Sequence, residues 1–206
     1  MTVVSIREIT PFIGKSDLAK SRVMRAAGVM SRHGADVRVT KVVAGDGSGD
    51  IHIYGSYSSF ETAAETFQNF SQDAEMLAIQ QERELNPAAD VRGPWLGRML
   101  YGTPPSSPKP ISVQRDYHMP RTNLSAAMEL APELDKLMDP LGVDVAVGVP
   151  VMGSDHEMMR VIYRFSSMGH WGKSVDSMVE NKEFSALVEK ANSYGTLRTS
   201  RMIATI

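Results

Sequence analysis

An internal repeat limits the folds open to this chain more than any other feature. Residues 33–39 align with residues 141–147, a shift of about 108 positions, and the same shift aligns residues 57–60 with residues 165–168 without a gap. About eight of roughly 27 aligned positions are identical, where unrelated sequences would share about two. The chain is therefore predicted to contain two copies of one unit.

A proline-rich segment separates the two copies. Proline lacks a backbone N–H and has a fixed φ, so a segment with four prolines neither continues a helix nor lies in the middle of a sheet. We predict a first repeat at residues 1–103, a stiff extended linker at 104–110 and a second repeat at 111–206.

Each copy has the hydrophobic periodicity of a βαββαβ unit. In the first copy the predicted elements are a strand at 3–9, a helix at 16–32, a hairpin around the glycine-rich turn 45–50, a second helix from about residue 58, and a strand at 96–101. The predicted elements of the second copy are strands near 111–118, 144–151, 157–166 and 197–205, and helices near 123–139 and 169–192.

This order of elements predicts an α+β fold. A βαββαβ unit forms a four-stranded antiparallel sheet with both helices on one face, which leaves the other face uncovered. Packing the two uncovered faces together buries both of them. The sequence thus predicts two tandem ferredoxin-like repeats packed sheet-to-sheet as a single-chain pseudo-dimer.

The composition excludes several classes of function. The absence of cysteine excludes disulfides, thiolate metal sites and cysteine nucleophiles. A net charge of −2, with basic residues scattered along the chain, does not predict a nucleic-acid partner. The N-terminus becomes charged too early for a signal peptide, and no apolar run approaches the roughly 20 residues that span a bilayer. We expect a soluble cytoplasmic protein without a membrane partner.

Strand alternation identifies a polar face between the two predicted sheets. If Val39 and Ile53 face the helices, then His52 and Tyr54 point toward the other sheet, and the same alternation places Arg160 and Arg164 there in the second copy. These four residues would line a cavity for an anionic or aromatic small molecule. The alternative is a hydrated interface with salt bridges, for example between Asp116 and an arginine.

No metal site is predicted. The five histidines lack the spacings of metal-binding motifs, and the turn at 45–50 lacks the glycine and the glutamate that an EF-hand loop requires. That turn is predicted to be a simple hairpin loop.

The chain resembles the dimeric α/β-barrel superfamily. The resemblance is carried by the strand that leads into residues 57–61 and its helix, and by residues 73–78, which are echoed by 181–186. It is strongest toward NIPSNAP-like, stress-responsive and antibiotic-biosynthesis-monooxygenase-type proteins, although the proline of their Asp-Pro-Glu-like segment is missing from both copies. The resemblance implies a single-chain dimeric α/β-barrel, with cofactor-free monooxygenases and haem proteins among its relatives.

The resemblance also suggests a second place for a ligand. The resembling monooxygenases and haem proteins hold their ligands between sheet and helices, where Tyr163, His170 and Trp171 would line a pocket in the second copy. The alternative is that these residues belong to an ordinary core, with His170 at the surface.

Three functions are compatible with these features. The first is a small-molecule-binding protein for an apolar or aromatic ligand, with cofactor-free oxygenation of an aromatic compound as its sharpest form. The others are haem binding through a histidine and a non-catalytic structural or interaction protein. No cofactor is expected in the first case, only one copy is expected to retain a site, and the chain is compatible with a monomer or a homodimer.

Overall fold

Eight strands form a closed antiparallel barrel in the part of the chain that the computed structural model describes, residues 2–102 and 109–206. The strands are β1 (Val3–Pro11), β2 (Asp36–Gly45), β3 (Ile51–Tyr57), β4 (Ala89–Tyr101), β5 (Ile111–His118), β6 (Asp144–Met152), β7 (Met158–Phe165) and β8 (Thr196–Thr205). The helices are α1 (Ser16–Arg32), α2 (Phe60–Ser71), α3 (Ala74–Leu85), α4 (Leu124–Met128), α5 (Ala131–Met138), α6 (Met168–Glu180) and α7 (Lys182–Asn192), with short 3₁₀ turns at Arg121–Asn123 and Asp139–Leu141.

The order of strands around the barrel is β4-β1-β3-β2 followed by β8-β5-β7-β6. The first four strands come from the first half of the chain and the last four from the second half. The two groups join along two seams, where Val42 of β2 pairs with Ile203 of β8 and Met99 of β4 pairs with Gly148 of β6. The sequence predicted facing sheets, but the structure also joins their edges, which leaves no strand edge unpaired among the eight strands.

The helices pack on the outside of the barrel and enclose a separate hydrophobic core in each half. Val23, Met30 and Ile53 belong to the core of the first half, and Met138 and Phe165 to that of the second half. Residues at odd positions of β1 face this core, so the even positions face the barrel interior.

The predicted second helix of each half is two helices. Asp73 begins α3 by accepting a hydrogen bond from the backbone N–H of Glu75, and Asn181 begins α7 by accepting from the N–H groups of Glu183 and Phe184. The prediction of one helix over 169–192 was therefore wrong, because an apolar stripe continues across these capping residues and hides the break.

Two further boundaries differ from the prediction. The helix predicted at 123–139 is divided into α4 and α5, where Pro132 occupies the first turn of α5. Strand β4 begins at Ala89 rather than at residue 96. The predicted linker at 104–110 lies outside the described residues except for its last two positions.

Candidate ligand cavities

The interior of the barrel contains a cavity of about 910 Å³. We call it the barrel cavity. All eight strands contribute to its lining, and its volume extends beyond the barrel into a groove beside α1. The lining includes the apolar residues Ile6, Trp95, Leu96, Ile162 and Ile203 and the polar residues Tyr54, Ser112, Gln114, Arg38, Arg160 and Arg164. Ligand sites in proteins are usually about 300–1,000 Å³, so this volume suits a small organic molecule.

A network of ion pairs crosses one end of the barrel cavity. Arg160 donates two hydrogen bonds to Asp116, of 2.6 and 2.8 Å. Arg201 donates to Glu8 at 2.9 Å and approaches Asp116 at 3.4 Å. Glu8 belongs to the first half and Asp116 to the second, so Arg201 joins the two halves electrostatically. The salt-bridged interface that the sequence suggested is thus present at this end, beside a cavity rather than in place of one.

The proton affinities of this network follow from its pairing. Burial alone would raise the pKa of Asp116, but the hydrogen bonds and charge of Arg160, together with the charge of Arg201, lower it overall. Burial alone would lower the pKa of Arg160, but Asp116 raises it overall. Both groups are therefore held in their charged forms.

His52 lies behind the lining of the barrel cavity and does not contribute to it. Its side chain is fully buried, and its Nδ1 is 3.1 Å from the hydroxyl of Tyr54, which also accepts a hydrogen bond of 3.0 Å from Gln114. Burial is the main cause that lowers the pKa of His52 to about 3, followed by the positive charges of Arg201 and Arg160. The lining of the cavity includes Tyr54 but not His52, so the expectation that His52 lines it was wrong.

The opposite end of the barrel cavity has a different charge pattern. Arg38 donates hydrogen bonds to the hydroxyl of Thr205 and to the carbonyl of Lys109, both neutral acceptors. Arg164 is 8% exposed and lies opposite Asp144 and Ser112 in the register of the sheet. Tyr54, Arg160 and Arg164 thus reach the cavity as the alternation of the strands predicted.

A second cavity lies between sheet and helices in the first half. We call it the helix–sheet pocket. Its volume is about 170 Å³, and apolar side chains such as Met30, Phe70 and Ile79 form most of its wall. The guanidinium of Arg7 lies 5.9 Å from the ring centre of Phe67 and 5.8 Å from that of Phe70, a cation–π geometry.

The sequence analysis did not identify Arg7 as a pocket residue. Strand alternation could have indicated it, because Arg7 occupies an odd position of β1, on the face where Val3 and Ile9 enter the core. Burial lowers the pKa of Arg7 from its ordinary value. In the described residues it has neither an ion pair nor a conventional hydrogen bond.

The three residues that the resemblance suggested as a pocket lining in the second half have other surroundings. Tyr163 is buried in the core, and Trp171 packs against that core. Both ring nitrogens of His170 are engaged, Nε2 at 2.7 Å from the carbonyl of Leu141 and Nδ1 with Ser166. None of the three lines the barrel cavity, the helix–sheet pocket or a space of about 570 Å³ between α5, α6 and α7, and their contacts stabilise α6 and the core.

The histidines do not fit a haem between sheet and helices. No histidine lines the helix–sheet pocket, and His33 is bonded to Asp73 at 2.9 Å. His118 lines the barrel cavity but lies 3.8 Å from Glu157. Within residues 2–102 and 109–206, no group of three or more metal-binding side chains is present, and no helix is both long and apolar enough to cross a membrane.

Comparison with known proteins gives the fold. No family profile and no curated sequence matches this chain. Among solved structures, an anthrone oxidase-like protein is similar over 100% of this chain and 91% of its own, with 10% identity and a TM-score of 0.68. The chain has the dimeric α/β-barrel fold.

Two proteins from Listeria monocytogenes have a similar dimeric α/β-barrel. A ferredoxin-fold protein related to antibiotic biosynthesis monooxygenases, from strain 4b F2365, matches over 100% of this chain and 95% of its own, with 10% identity and a TM-score of 0.55. A heme-degrading enzyme matches over 98% of both chains, with 8% identity and a TM-score of 0.55. At these identities the likeness extends to the fold and not to the activity.

Proposed function

We propose that this dimeric α/β-barrel protein binds a small apolar or aromatic molecule in the helix–sheet pocket of its first half. The observation that carries the proposal is the pocket itself, an apolar cavity of about 170 Å³. An engineered apolar cavity of roughly 150 Å³ in another protein stays dry and binds benzene. A pocket of this size and character therefore suits one aromatic ring.

Arg7 restricts the chemistry of that ligand. Its guanidinium keeps its charge because the ordinary pKa of arginine lies far above neutral, even though burial lowers it. A cation beside an apolar pocket stabilises an anion there, so it favours the ionised form of a phenol or enol. The ligand that fits best is an aromatic compound with an acidic hydroxyl group.

A finer proposal is cofactor-free oxygenation of such a compound. An ionised phenol or enol reduces dioxygen more readily than its neutral form, and Arg7 would supply the ionised form. The fold is shared with an anthrone oxidase-like protein and with a relative of antibiotic biosynthesis monooxygenases, which supports the same chemistry. Among the described residues no carboxylate or imidazole lines the pocket, and its cations are Arg7, Arg22 and Arg83. Arg22 is paired with Glu82 at 3.3 Å, so ionisation would depend chiefly on Arg7 and Arg83.

We also propose that the two halves of the barrel are fused copies of one unit. The strand orders β4-β1-β3-β2 and β8-β5-β7-β6 correspond position by position. The fusion would free one copy from a ligand-binding role, in keeping with a helix–sheet pocket in the first half and filled space around Tyr163 in the second.

Titration with 4-nitrophenol, followed by absorbance, tests the site. We expect the bound phenol to ionise at a lower pH than the free phenol, and Arg7→Gln to remove that difference. Ile79→Phe should fill the pocket and abolish binding. Leu187→Phe is the matched control, because Leu187 has a similar position in α7 and does not line the pocket. Equal binding by wild type and Ile79→Phe would reject the site.

Oxygen uptake tests the finer proposal separately. Wild-type protein supplied with a single-ring phenol should consume oxygen, and Arg7→Gln should lose most of this activity while the Leu187→Phe control retains it. Binding without oxygen uptake would leave the binding function in place and reject the monooxygenase.

A further inference from the structure

The barrel cavity is separate from the helix–sheet pocket, because no residue lines both and because the part inside the barrel lies on the opposite face of the first-half sheet. Tyr54 lines the barrel cavity, while its neighbour Ile53 lines the helix–sheet pocket. At about 910 Å³ the barrel cavity is also several times larger. A ligand in one space does not occupy the other.

Charge divides the barrel cavity into two ends. At the end that contains Arg160, Arg201 and Arg92, each arginine lies within 3.1 Å of a carboxylate, either Asp116 or Glu8. Asp50 also lies 3.7 Å from Arg92 and Asp46 lies 3.3 Å from Arg201, so the carboxylates at this end at least equal the arginines in number and the end offers little attraction to an anionic ligand.

The surroundings of Arg38, at the other end of the cavity, differ. Among the described residues Arg38 has only neutral hydrogen-bond acceptors. The carboxylate of Asp144 is bonded to Lys109 at 2.8 Å, which uses part of the nearby negative charge. Burial is the main cause that lowers the pKa of Arg164, Asp144 opposes it, and Arg38 adds a smaller lowering effect, so the two arginines lie close enough to influence each other. An anion between the two guanidinium groups would be attracted by both of them.

Ser112 and Gln114 each carry a buried polar atom without a hydrogen-bond partner among the described residues. Ser112 and Gln114 are 1% and 3% exposed, both line the cavity, and neither Ser112 Oγ nor Gln114 Oε1 has a hydrogen-bond partner in the described part of the chain. Buried polar atoms are nearly always satisfied by protein, water or ligand. Apolar side chains of Ile162, Ile203 and Leu96 line the same space, so its contents must be partly polar and partly apolar.

We propose that the barrel cavity binds an organic anion with an apolar body, whose carboxylate or phosphate group lies between Arg38 and Arg164. Arginine forms bidentate, charge-assisted hydrogen bonds with both kinds of group. The body of the ligand extends past Ser112 and Gln114 along Ile162 and Ile203.

Calorimetric titration of the full chain with octanoate, octyl phosphate and 1-octanol tests this proposal. The wild type should bind at least one of the two anions more tightly than the alcohol, and the tighter anion identifies the head group. Arg38→Gln and Arg164→Gln should each weaken anion binding about 10- to 100-fold, the range for a lost charge-assisted hydrogen bond, and leave binding of 1-octanol within about threefold.

Two controls separate charge from stability and position. Thr205→Val removes an acceptor of Arg38 but keeps the cation, so it should retain anion binding. Arg198→Gln removes an exposed cation elsewhere in the lining and should also retain it. Unchanged binding in both Arg38→Gln and Arg164→Gln, equal loss in Arg198→Gln, or no anion binding by the folded wild type would overturn the proposal.

Ile79→Phe distinguishes this site from the one in the proposed function. That variant fills the helix–sheet pocket, so it should lose 4-nitrophenol and keep octanoate. Loss of octanoate in Ile79→Phe would place the anion in the helix–sheet pocket and reject the barrel site. If the wild type bound octanoate but no 4-nitrophenol, the proposed function would be rejected and the barrel site would be retained.

Discussion

Substitution of Asp116 by asparagine tests whether the ion-pair network stabilises the barrel. Asp116 is 8% exposed and accepts two hydrogen bonds from Arg160, a third of 3.3 Å from Thr199, and a long contact from Arg201. In Asp116→Asn the amide nitrogen replaces one acceptor by a donor and the negative charge disappears. The buried guanidinium of Arg160 then lacks its counter-ion.

Removing one member of a buried ion pair typically costs about 3–5 kcal/mol, because the remaining charge is left uncompensated. For a chain of this size, that loss corresponds to a fall in Tm of roughly 6–20 °C. Urea denaturation at pH 7, followed by circular dichroism and by tryptophan fluorescence, measures it. Coincident transitions would confirm that a two-state treatment is valid.

The same variant makes a prediction about pH. Because pairing lowers the pKa of folded Asp116 below its ordinary value of 3.8, the stabilisation is complete well above that value and is lost as the pH falls below it. The difference in stability between wild type and Asp116→Asn should therefore be large at pH 7 and shrink below about pH 3.8. A loss of under about 1 kcal/mol at pH 7, in a variant that stays folded, would refute the reasoning.

Three other predictions concern the barrel. Because the pKa of folded His52 is lowered to about 3 from 6.5, an NMR titration should find its imidazole neutral at pH 5, and this residue should make stability fall as the pH drops from 6.5 toward 3. Tyr54→Phe removes the acceptor of the Gln114 amide and should lower the free energy of unfolding by about 1–3 kcal/mol in urea denaturation. Gly45→Ala should lower the free energy of unfolding by at least about 1–3 kcal/mol by distorting the seam between β2 and β8. Gly45 has a φ of +84°, and a Cβ there would clash with the carbonyl oxygen of Ser200. An unchanged Tm would contradict this.

Strand alternation predicted a large part of the barrel interior. The period of two residues is enforced by backbone geometry, so the inward direction of Tyr54, Arg160 and Arg164 follows once the strands are identified. The pairing of Asp116 with an arginine was also foreseen as an alternative. Alternation predicts the direction of a side chain but not whether it reaches the cavity, and His52 is on the inward side yet does not line the cavity.

Other features lay beyond the sequence pattern for identifiable reasons. The seams depend on backbone hydrogen bonds, which any residue except proline can make, so no side-chain pattern marks them. The breaks at Asp73 and Asn181 are hidden because these polar residues interrupt helices whose apolar stripes continue on both sides. The helix–sheet pocket is space that the surrounding side chains leave unfilled. Its presence depends on how the side chains around Arg7 pack, which their residue types alone do not show.

The ion-pair network is easier to build in one chain than in a homodimer. In the proposed fusion, the shift of about 108 positions relates Glu8 to Asp116 and His52 to Arg160. Two identical subunits would place two acid–arginine pairs, or two acid–histidine pairs, at the same end of the barrel. This chain has one acid–arginine pair and one acid–histidine pair, with Arg201 between the two carboxylates. Because His52 is uncharged, this end of the barrel contains one buried cation fewer than it would with a second arginine. Fusion permits each copy to carry a different partner for its carboxylate, and the same freedom lets the halves differ in which of them holds a ligand.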